Sequence, residues 1–215
     1  EKNKMKVSVL GASGGVGCKV CSLLQSNPTI TLSKVLTRSK SKLESKMNSS
    51  LDGVEVITGD VTDPNVVKTM VASVDVVISC LGTTGGRNNL IVERSVVDLL
   101  DAMKGGRGRL IFISSIGVGD SLTQGKRMSP FFAYVIKPCF LSAIFKDLDD
   151  AEDAAFGQDE TKVVAVRPPA LKDKDATGNV RLIGSADMTA RKAEISRGDV
   201  AVAMVRILEE EGLFE

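Results

Sequence analysis

The glycine-rich segment near the start of the chain constrains the fold more than any other feature. The apolar run Lys6-Val-Ser-Val-Leu10 is followed at once by Gly11-Ala-Ser-Gly-Gly-Val-Gly17 and then by an apolar, helix-like stretch that ends near Leu24. This order predicts a strand, a tight loop and a helix N-terminus, where backbone amides and the helix dipole favour a bound diphosphate. Glycines suit this loop, because a Cβ would hold a phosphate away or forbid the dihedral angles of the turn. The G-x-x-G-x-x-G spacing also fits a plain strand-to-helix turn.

Strand-like and helix-like segments alternate along the rest of the chain, which is the pattern of a parallel sheet covered by helices. We predict a Rossmann-type α/β fold, a doubly wound parallel sheet with helices on both faces and a small C-terminal cap, formed as one domain over residues 1–215. The strands are predicted in the order 3-2-1-4-5-6, at residues 6–10, 32–37, 54–58, 74–80, 109–114 and 162–167. Helices are predicted at about 15–25, from 63 onward, and at about 88–103, 147–156 and 198–211, with a weak strand at 180–183.

Composition excludes several functional classes. The net charge of +1 gives no electrostatic basis for binding nucleic acid or a membrane surface, and no uncharged apolar stretch reaches the roughly 18 residues of a membrane helix. The chain has no histidine, which excludes His-based triads and most zinc sites, so we predict no metal. No signal peptide is visible and the four cysteines form no regular framework, so we expect a cytoplasmic monomer or small homo-oligomer.

Two further motifs are interpreted as structural. Cys18 and Cys21 form a C-x-x-C pair inside the predicted first helix, without a second pair of ligands, and are expected to be buried. The acidic run over residues 147–153 is expected to be a solvated helix face.

The residues after the second predicted strand indicate the cofactor. Arg38 lies 21 residues after Gly17, where an NAD-preferring site is expected to carry an acid that holds the ribose 2′-hydroxyl. A guanidinium with the neighbouring Ser39 hydroxyl suits the 2′-phosphate of NADP(H) instead. The same residues also fit a solvated basic loop.

Small and polar residues follow the other strands, where each would meet a different part of a dinucleotide. Asp60 fits a contact to the adenine amino group, with Val61 packed on the ring, and it also fits a local turn cap. The remaining residues are expected to contact first ribose or phosphate and then the nicotinamide: Gly82, Thr83, Ser114, Ser115 and the bend at Pro168.

Taken in order, the motifs GASGGVG, Arg38, GDV, CLGTT, ISSIG and VRPPAL resemble the atypical short-chain dehydrogenase/reductase superfamily, in particular its NAD(P)-binding branch with flavin reductase (biliverdin-IXβ reductase) and NmrA-like proteins. The likeness extends to Ser196-Arg-Gly-Asp-Val200. It implies a Rossmann fold that binds NADP(H). It also implies cofactor contacts at Gly11, Ser13, Gly14, Val16, Arg38, Asp60, Val61, Leu81, Gly82 and Ser115, with Gly15 and Gly17 in the same loop.

The sequence departs from that superfamily at the residues that move protons. The main branch uses a Tyr-x-x-x-Lys pair, whereas the single tyrosine here, Tyr134, precedes Lys137 by three positions. In flavin reductase a histidine follows the two prolines, and Ala170 stands at that place. We retain two catalytic candidates: Ser115 as a polar contact to the nicotinamide or the acceptor, and Tyr134 as a partial Tyr–Lys mimic that could equally be a packing residue.

Four of the seven phenylalanines and the tyrosine fall within residues 131–145, which fits a pocket wall for a flat ring, a lid or an oligomer contact. We therefore predict an NADP(H)-dependent oxidoreductase that transfers a hydride to a planar small-molecule acceptor such as a flavin or quinone. The missing histidine and the altered Tyr–Lys spacing favour the alternative, a catalytically weak NADP(H)-sensing regulator or assembly factor. An epimerase-like protein is disfavoured by the short C-terminal region.

Overall fold

The computed structural model describes residues 4–47, 50–83, 90–128, 139, 141–184 and 194–210. Its strands are β1 (Met5–Leu10), β2 (Ile30–Thr37), β3 (Glu55–Thr58), β4 (Val76–Ser79), β5 (Arg109–Ile113), β6 (Lys162–Val166), β7 (Ala170–Lys172) and β8 (Glu194–Ser196). Its helices are α1 (Gly17–Gln25), α2 (Lys40–Glu44), α3 (Pro64–Val71), α4 (Val92–Met103), α5 (Leu122–Met128), α6 (Ser142–Phe156) and α7 (Arg197–Glu209).

A parallel sheet of six strands forms the centre, in the order β3-β2-β1-β4-β5-β6. This arrangement confirms the predicted Rossmann-type α/β fold and strand order. The central strands are buried on both faces, as their continuous apolar runs indicate, and β4 is buried at each of its residues. In this topology all six carboxyl ends lie at one edge, where the polar residues after the strands are brought together.

Helices cover both faces of the sheet. On one face, α1 and α7 pack over inward-facing residues such as Val9 and Val35. On the other face, α3, α4 and α6 pack over residues that include Leu10 and Phe112. The sheet is therefore the middle of three layers. None of the helices in the described part of the chain is both long and apolar enough to cross a membrane.

Local capping explains two of the short helices. Asp63 caps α3, because its carboxylate accepts a hydrogen bond of 2.8 Å from the Asn65 amide and Pro64 takes the first helical position. The residues after β2, for which a solvated basic loop is the alternative interpretation, form the largely exposed helix α2, whose N-cap Ser39 accepts a hydrogen bond from the Lys42 amide. The Ser39 hydroxyl thus has a structural partner.

The predicted weak strand at residues 180–183 is wrong. Those residues form no strand, because the Val180 carbonyl accepts a hydrogen bond of 2.6 Å from Arg206 and Leu182 packs against the core. The cap instead contains the small parallel pair of β7 and β8, in which Ala170 is opposite Glu194 and Lys172 is opposite Ser196. Neither strand was predicted, since each has only three residues.

Candidate functional site

The glycine loop between β1 and α1 is shaped by close backbone contacts. Gly11 has a φ of +72°, and a Cβ on it would lie 2.9 Å from the Cys80 carbonyl oxygen at the end of β4. A Cβ on Gly17 would lie 2.2 Å from the Gly11 carbonyl oxygen. Both positions therefore require glycine for the turn itself. Gly14 belongs to the same turn, since its amide donates to Gly11 over 2.9 Å.

The N-terminus of α1 is suited to an anion. In the described structure its N-cap residue, Val16, makes no side-chain capping bond, and no acidic side chain lies in the first helical turn. The first amides of a helix have no intrahelical partners and carry the positive end of the dipole. A diphosphate could approach the backbone at Gly15, which precedes Val16 and has no side chain of its own, whereas Gly17 faces the Gly11 carbonyl within the turn.

Two residues that sequence analysis missed lie beside Ser13. The hydroxyls of Thr37 and Ser13 are 3.0 Å apart, which connects the glycine loop to the end of β2. The ammonium of Lys46 donates to the Ser13 carbonyl over 3.0 Å. Thr37 could have been found from its place beside Arg38, but no local pattern singles out Lys46. Lys46 thus adds a cation, besides Arg38, on the side of the glycine loop that faces β2.

Arg38 and Asp60 are exposed neighbours at the carboxyl ends of β2 and β3. The Asp60 carboxylate accepts hydrogen bonds of 2.9 Å and 2.8 Å from the amide and hydroxyl of Thr62. These two bonds hold the pKa of Asp60 below its usual value, and the positive charges of Arg38 and Arg94 add to the effect. Asp60 therefore forms a local turn, and its neighbour Val61 is buried in the core.

A cavity of about 1100 Å³ opens at the carboxyl ends of β4, β5 and β6. Six of the predicted site residues line it, namely Leu81, Gly82, Thr83, Ser114, Ser115 and Pro168. Its apolar walls include Ile116, Leu122, Phe145 and Leu171. The glycine loop adjoins the cavity, because Gly11 packs against Cys80 and the next residue, Leu81, is part of the lining. Loop and cavity thus form one continuous edge.

The two serines after β5 differ in their hydrogen bonding. Ser114 is 5% exposed, and its hydroxyl has no hydrogen-bond partner among the described residues. The half-buried Ser115 donates to the Ile116 carbonyl over 3.2 Å. A buried hydroxyl without a partner is unfavourable by about 1–3 kcal/mol. Ser114 Oγ is closed to solvent, as are Ser8 Oγ and Ser79 Oγ, so it could bind a ligand in the cavity only after its side chain turns.

Of the aromatic segment, only Phe145 can be placed in the cavity wall. Tyr134, the second catalytic candidate, lies outside the described residues together with Phe131, Phe132 and Phe140.

Part of the acidic run on α6 is buried, so its interpretation as a solvated face is wrong for two residues. Asp147, 4% exposed, accepts hydrogen bonds from the Val92 and Glu93 amides at the start of α4, over 3.2 Å and 3.1 Å. It therefore caps α4 from a neighbouring helix. It also accepts from the Thr83 hydroxyl over 3.2 Å, which fixes that predicted cofactor contact at the cavity rim.

Glu152 is the second buried acid. Its carboxylate accepts two hydrogen bonds, of 2.9 Å and 2.6 Å, from the Arg167 guanidinium. The hydrogen bonding to Glu152 raises the pKa of Arg167 above its usual value. Arg167 directly precedes Pro168, and Glu152 leaves no room for a Cβ on Gly119, which also lines the cavity. This ion pair therefore positions two segments of the cavity wall.

The prediction that the cysteine pair is buried is confirmed for Cys21, whereas Cys18 is half-buried. Cys18 and Cys21 lie in α1 as free thiols, and burial raises the pKa of Cys21 to about 12. A thiol with so high a pKa is largely protonated near neutral pH and reacts slowly.

Comparisons with known proteins agree with this geometry. The model of a protein family described as NAD(P)H-binding matches residues 11–211. Averufin oxidase from Emericella nidulans is 28% identical over a region that covers 93% of this chain and 76% of its own length.

Solved structures share the fold. A short-chain dehydrogenase/reductase from Veillonella parvula DSM 2008 in complex with NADP has a TM-score of 0.76 at 17% identity, with 99% of this chain and 92% of that chain covered. A candidate NADH-flavin reductase from Streptococcus pneumoniae TIGR4 has a TM-score of 0.71 at 20% identity, with 95% and 93% covered.

Proposed function

Because the chain belongs to the NAD(P)H-binding family, within the atypical short-chain dehydrogenase/reductase superfamily that its motifs predict, we propose that it is an NADP(H)-dependent oxidoreductase. Its acceptor is a planar small molecule such as a flavin or quinone. The observation that carries this proposal is the apolar cavity at the carboxyl ends of β4, β5 and β6, whose wall at Leu81 adjoins the glycine loop.

The glycine loop and α1 would hold the diphosphate. The uncapped helix N-terminus offers amides and a positive dipole, and the loop has no side chain at Gly14 or Gly15 to obstruct them. Arg38 would hold the 2′-phosphate, and Lys46 adds positive charge beside Ser13. Two cations support NADP(H) over NAD(H), and the acid that neighbours Arg38, Asp60, is hydrogen-bonded to Thr62.

The cavity would hold the nicotinamide together with the acceptor. A bound nicotinamide nucleotide supplies the hydride. The chain would orient the ring with the half-buried Ser115 hydroxyl, which follows β5, while Leu122 and Phe145 contribute apolar walls. A flavin or quinone fits these requirements, because it needs only a flat apolar site and takes its proton from solvent.

Turnover tests the proposal directly. Purified protein is mixed with NADPH and a panel of flavins and quinones, and the loss of NADPH absorbance is followed. We expect oxidation above the protein-free rate with at least one acceptor. Ser115→Ala is the matched variant, and we expect it to lower the rate. Tight NADPH binding without oxidation for any acceptor would reject the enzyme and favour the nucleotide-sensing alternative.

A further inference from the structure

Arg197, the first residue of α7, lies across the glycine loop. A Cβ on Gly15 would lie 2.7 Å from Cδ of Arg197 and 3.1 Å from its Nε. The stem of the arginine therefore occupies the space that a side chain at position 15 would need. This contact brings a guanidinium to the loop at the N-terminus of α1, where the proposed function places the diphosphate.

The backbone at Arg197 is firmly held. Ser196 pairs with Lys172 between β8 and β7, and its hydroxyl accepts a hydrogen bond of 2.9 Å from the Asp199 amide. The Asp199 carboxylate, which is buried, in turn accepts hydrogen bonds of 2.8 Å and 2.9 Å from the Thr177 and Gly178 amides. The position of the arginine relative to the loop is thus fixed by the fold.

The partner of the guanidinium is, by contrast, weakly held. Nη1 of Arg197 lies 2.7 Å from a carboxylate oxygen of Asp173, whose side chain is 86% exposed. An ion pair with so exposed a partner adds little to stability. A diphosphate at the loop would offer more charge and two phosphate groups, which a guanidinium can bind through paired hydrogen bonds.

We propose that Arg197 is a further ligand of the nucleotide diphosphate and that it exchanges Asp173 for the diphosphate on binding. This inference rests on the proposed function. Before the nucleotide binds, Asp173 pairs with the guanidinium, and it therefore competes with the diphosphate for Arg197. Because the diphosphate is common to both nucleotides, Arg197 strengthens NADPH and NADH binding equally, unlike Arg38.

Two substitutions test the exchange by calorimetric titration with NADPH and with NADH. Arg197→Gln keeps the carbon that packs on Gly15 but removes the charge, and it should weaken both nucleotides by roughly ten- to hundredfold. Asp173→Asn should tighten both by up to about fivefold, because the competitor is gone. In the double variant the gain from Asp173→Asn should disappear.

The exposed pair of Lys104 and Asp101 provides the matched control. Its atoms are also 2.7 Å apart, and it lies at the end of α4 near the opposite edge of the sheet. Lys104→Gln and Asp101→Asn should leave both affinities unchanged. Unaltered binding in Arg197→Gln, a loss for NADPH alone, or no gain in Asp173→Asn would overturn the exchange. If the unaltered protein binds neither nucleotide, the proposed function itself fails.

Discussion

Substitution of Gly82 can distinguish an effect on protein stability from an effect on nucleotide binding. A Cβ on Gly82 would meet no described atom within 4 Å, although this residue borders the cavity next to Leu81. Gly82→Val should therefore leave the free energy of unfolding within about 1 kcal/mol of wild type, since replacing glycine at a compatible backbone position changes it by about 0.4–1 kcal/mol. Urea unfolding measures this value.

The same substitution should weaken NADPH binding. Carbon atoms stay about 3.5–4 Å from their neighbours, so the valine side chain would push away a nucleotide that lies on the Gly82 backbone. If the displaced nucleotide loses one charge-assisted hydrogen bond, which is worth about 1.5–3 kcal/mol, its Kd rises roughly ten- to hundredfold. Gly184→Val is the control, because a Cβ on Gly184 likewise meets no described atom within 4 Å and Gly184 does not line the cavity. A folded Gly82→Val variant with wild-type affinity would refute the placement of the nucleotide.

Substitution of Gly17, unlike that of Gly82, is expected to destabilise the fold itself. A Cβ on Gly17 would lie 2.2 Å from the carbonyl oxygen and 2.9 Å from the carbonyl carbon of Gly11, and both are backbone atoms that cannot turn away. Gly17→Ala should therefore destabilise the protein by about 1–3 kcal/mol or more. Unfolding that matches wild type would contradict the geometry of the loop.

Three further predictions concern charged side chains. Arg38→Ala should weaken NADPH by about 1–3 kcal/mol and NADH far less; an equal loss in titrations with the two nucleotides would reject the 2′-phosphate contact. Glu152→Gln should destabilise by about 3–5 kcal/mol in urea, because it leaves the largely buried Arg167 without its anion, whereas Glu44→Gln, in an exposed pair with Lys40, should cost little. Burial disfavours the charged form of Asp199, but hydrogen bonds from Ser196, Gly178 and Thr177 outweigh it and keep its pKa below the usual 3.8. Its stabilisation is therefore complete above about pH 4 and lost as the pH falls through the lowered pKa, so Asp199→Asn should be less stable at pH 7 and show a smaller further loss in acid.

The fold could be predicted from the sequence because each main element has a local signal. Strand β4 is a continuous apolar run, helix α3 begins with Asp63-Pro64, and the glycine spacing marks the turn into α1. The chemistry at the strand ends follows from topology, since parallel strands bring Gly82 and Ser114 to the same edge of the sheet. Predictions of this kind need only neighbours in the chain and the general rules of parallel sheets.

The remaining features depend on residues far apart in the chain. Asp147 caps α4 from a distance of 55 residues, and Lys46 reaches Ser13 from a distance of 33. Strands β7 and β8 have three residues each and become strands only by pairing with one another. A pattern search along the chain finds an acidic helix face and a basic loop at these places, because composition does not reveal which side of a helix is buried.

Three buried carboxylates position the segments around the candidate site. Asp147 holds the start of α4 and Thr83, Glu152 holds Arg167 beside Pro168, and Asp199 holds the backbone that presents Arg197 to the glycine loop. Each acid hydrogen-bonds to a segment from another part of the chain, so each stabilises the fold and the site together. Apolar packing alone would bury these segments without fixing their register, whereas a buried anion is stable only when its particular donors are in place. The segments around the site are therefore held by buried acids whose oxygens bind protein donors, and the groups that we assign to the nucleotide and its acceptor are backbone amides, hydroxyls and surface cations.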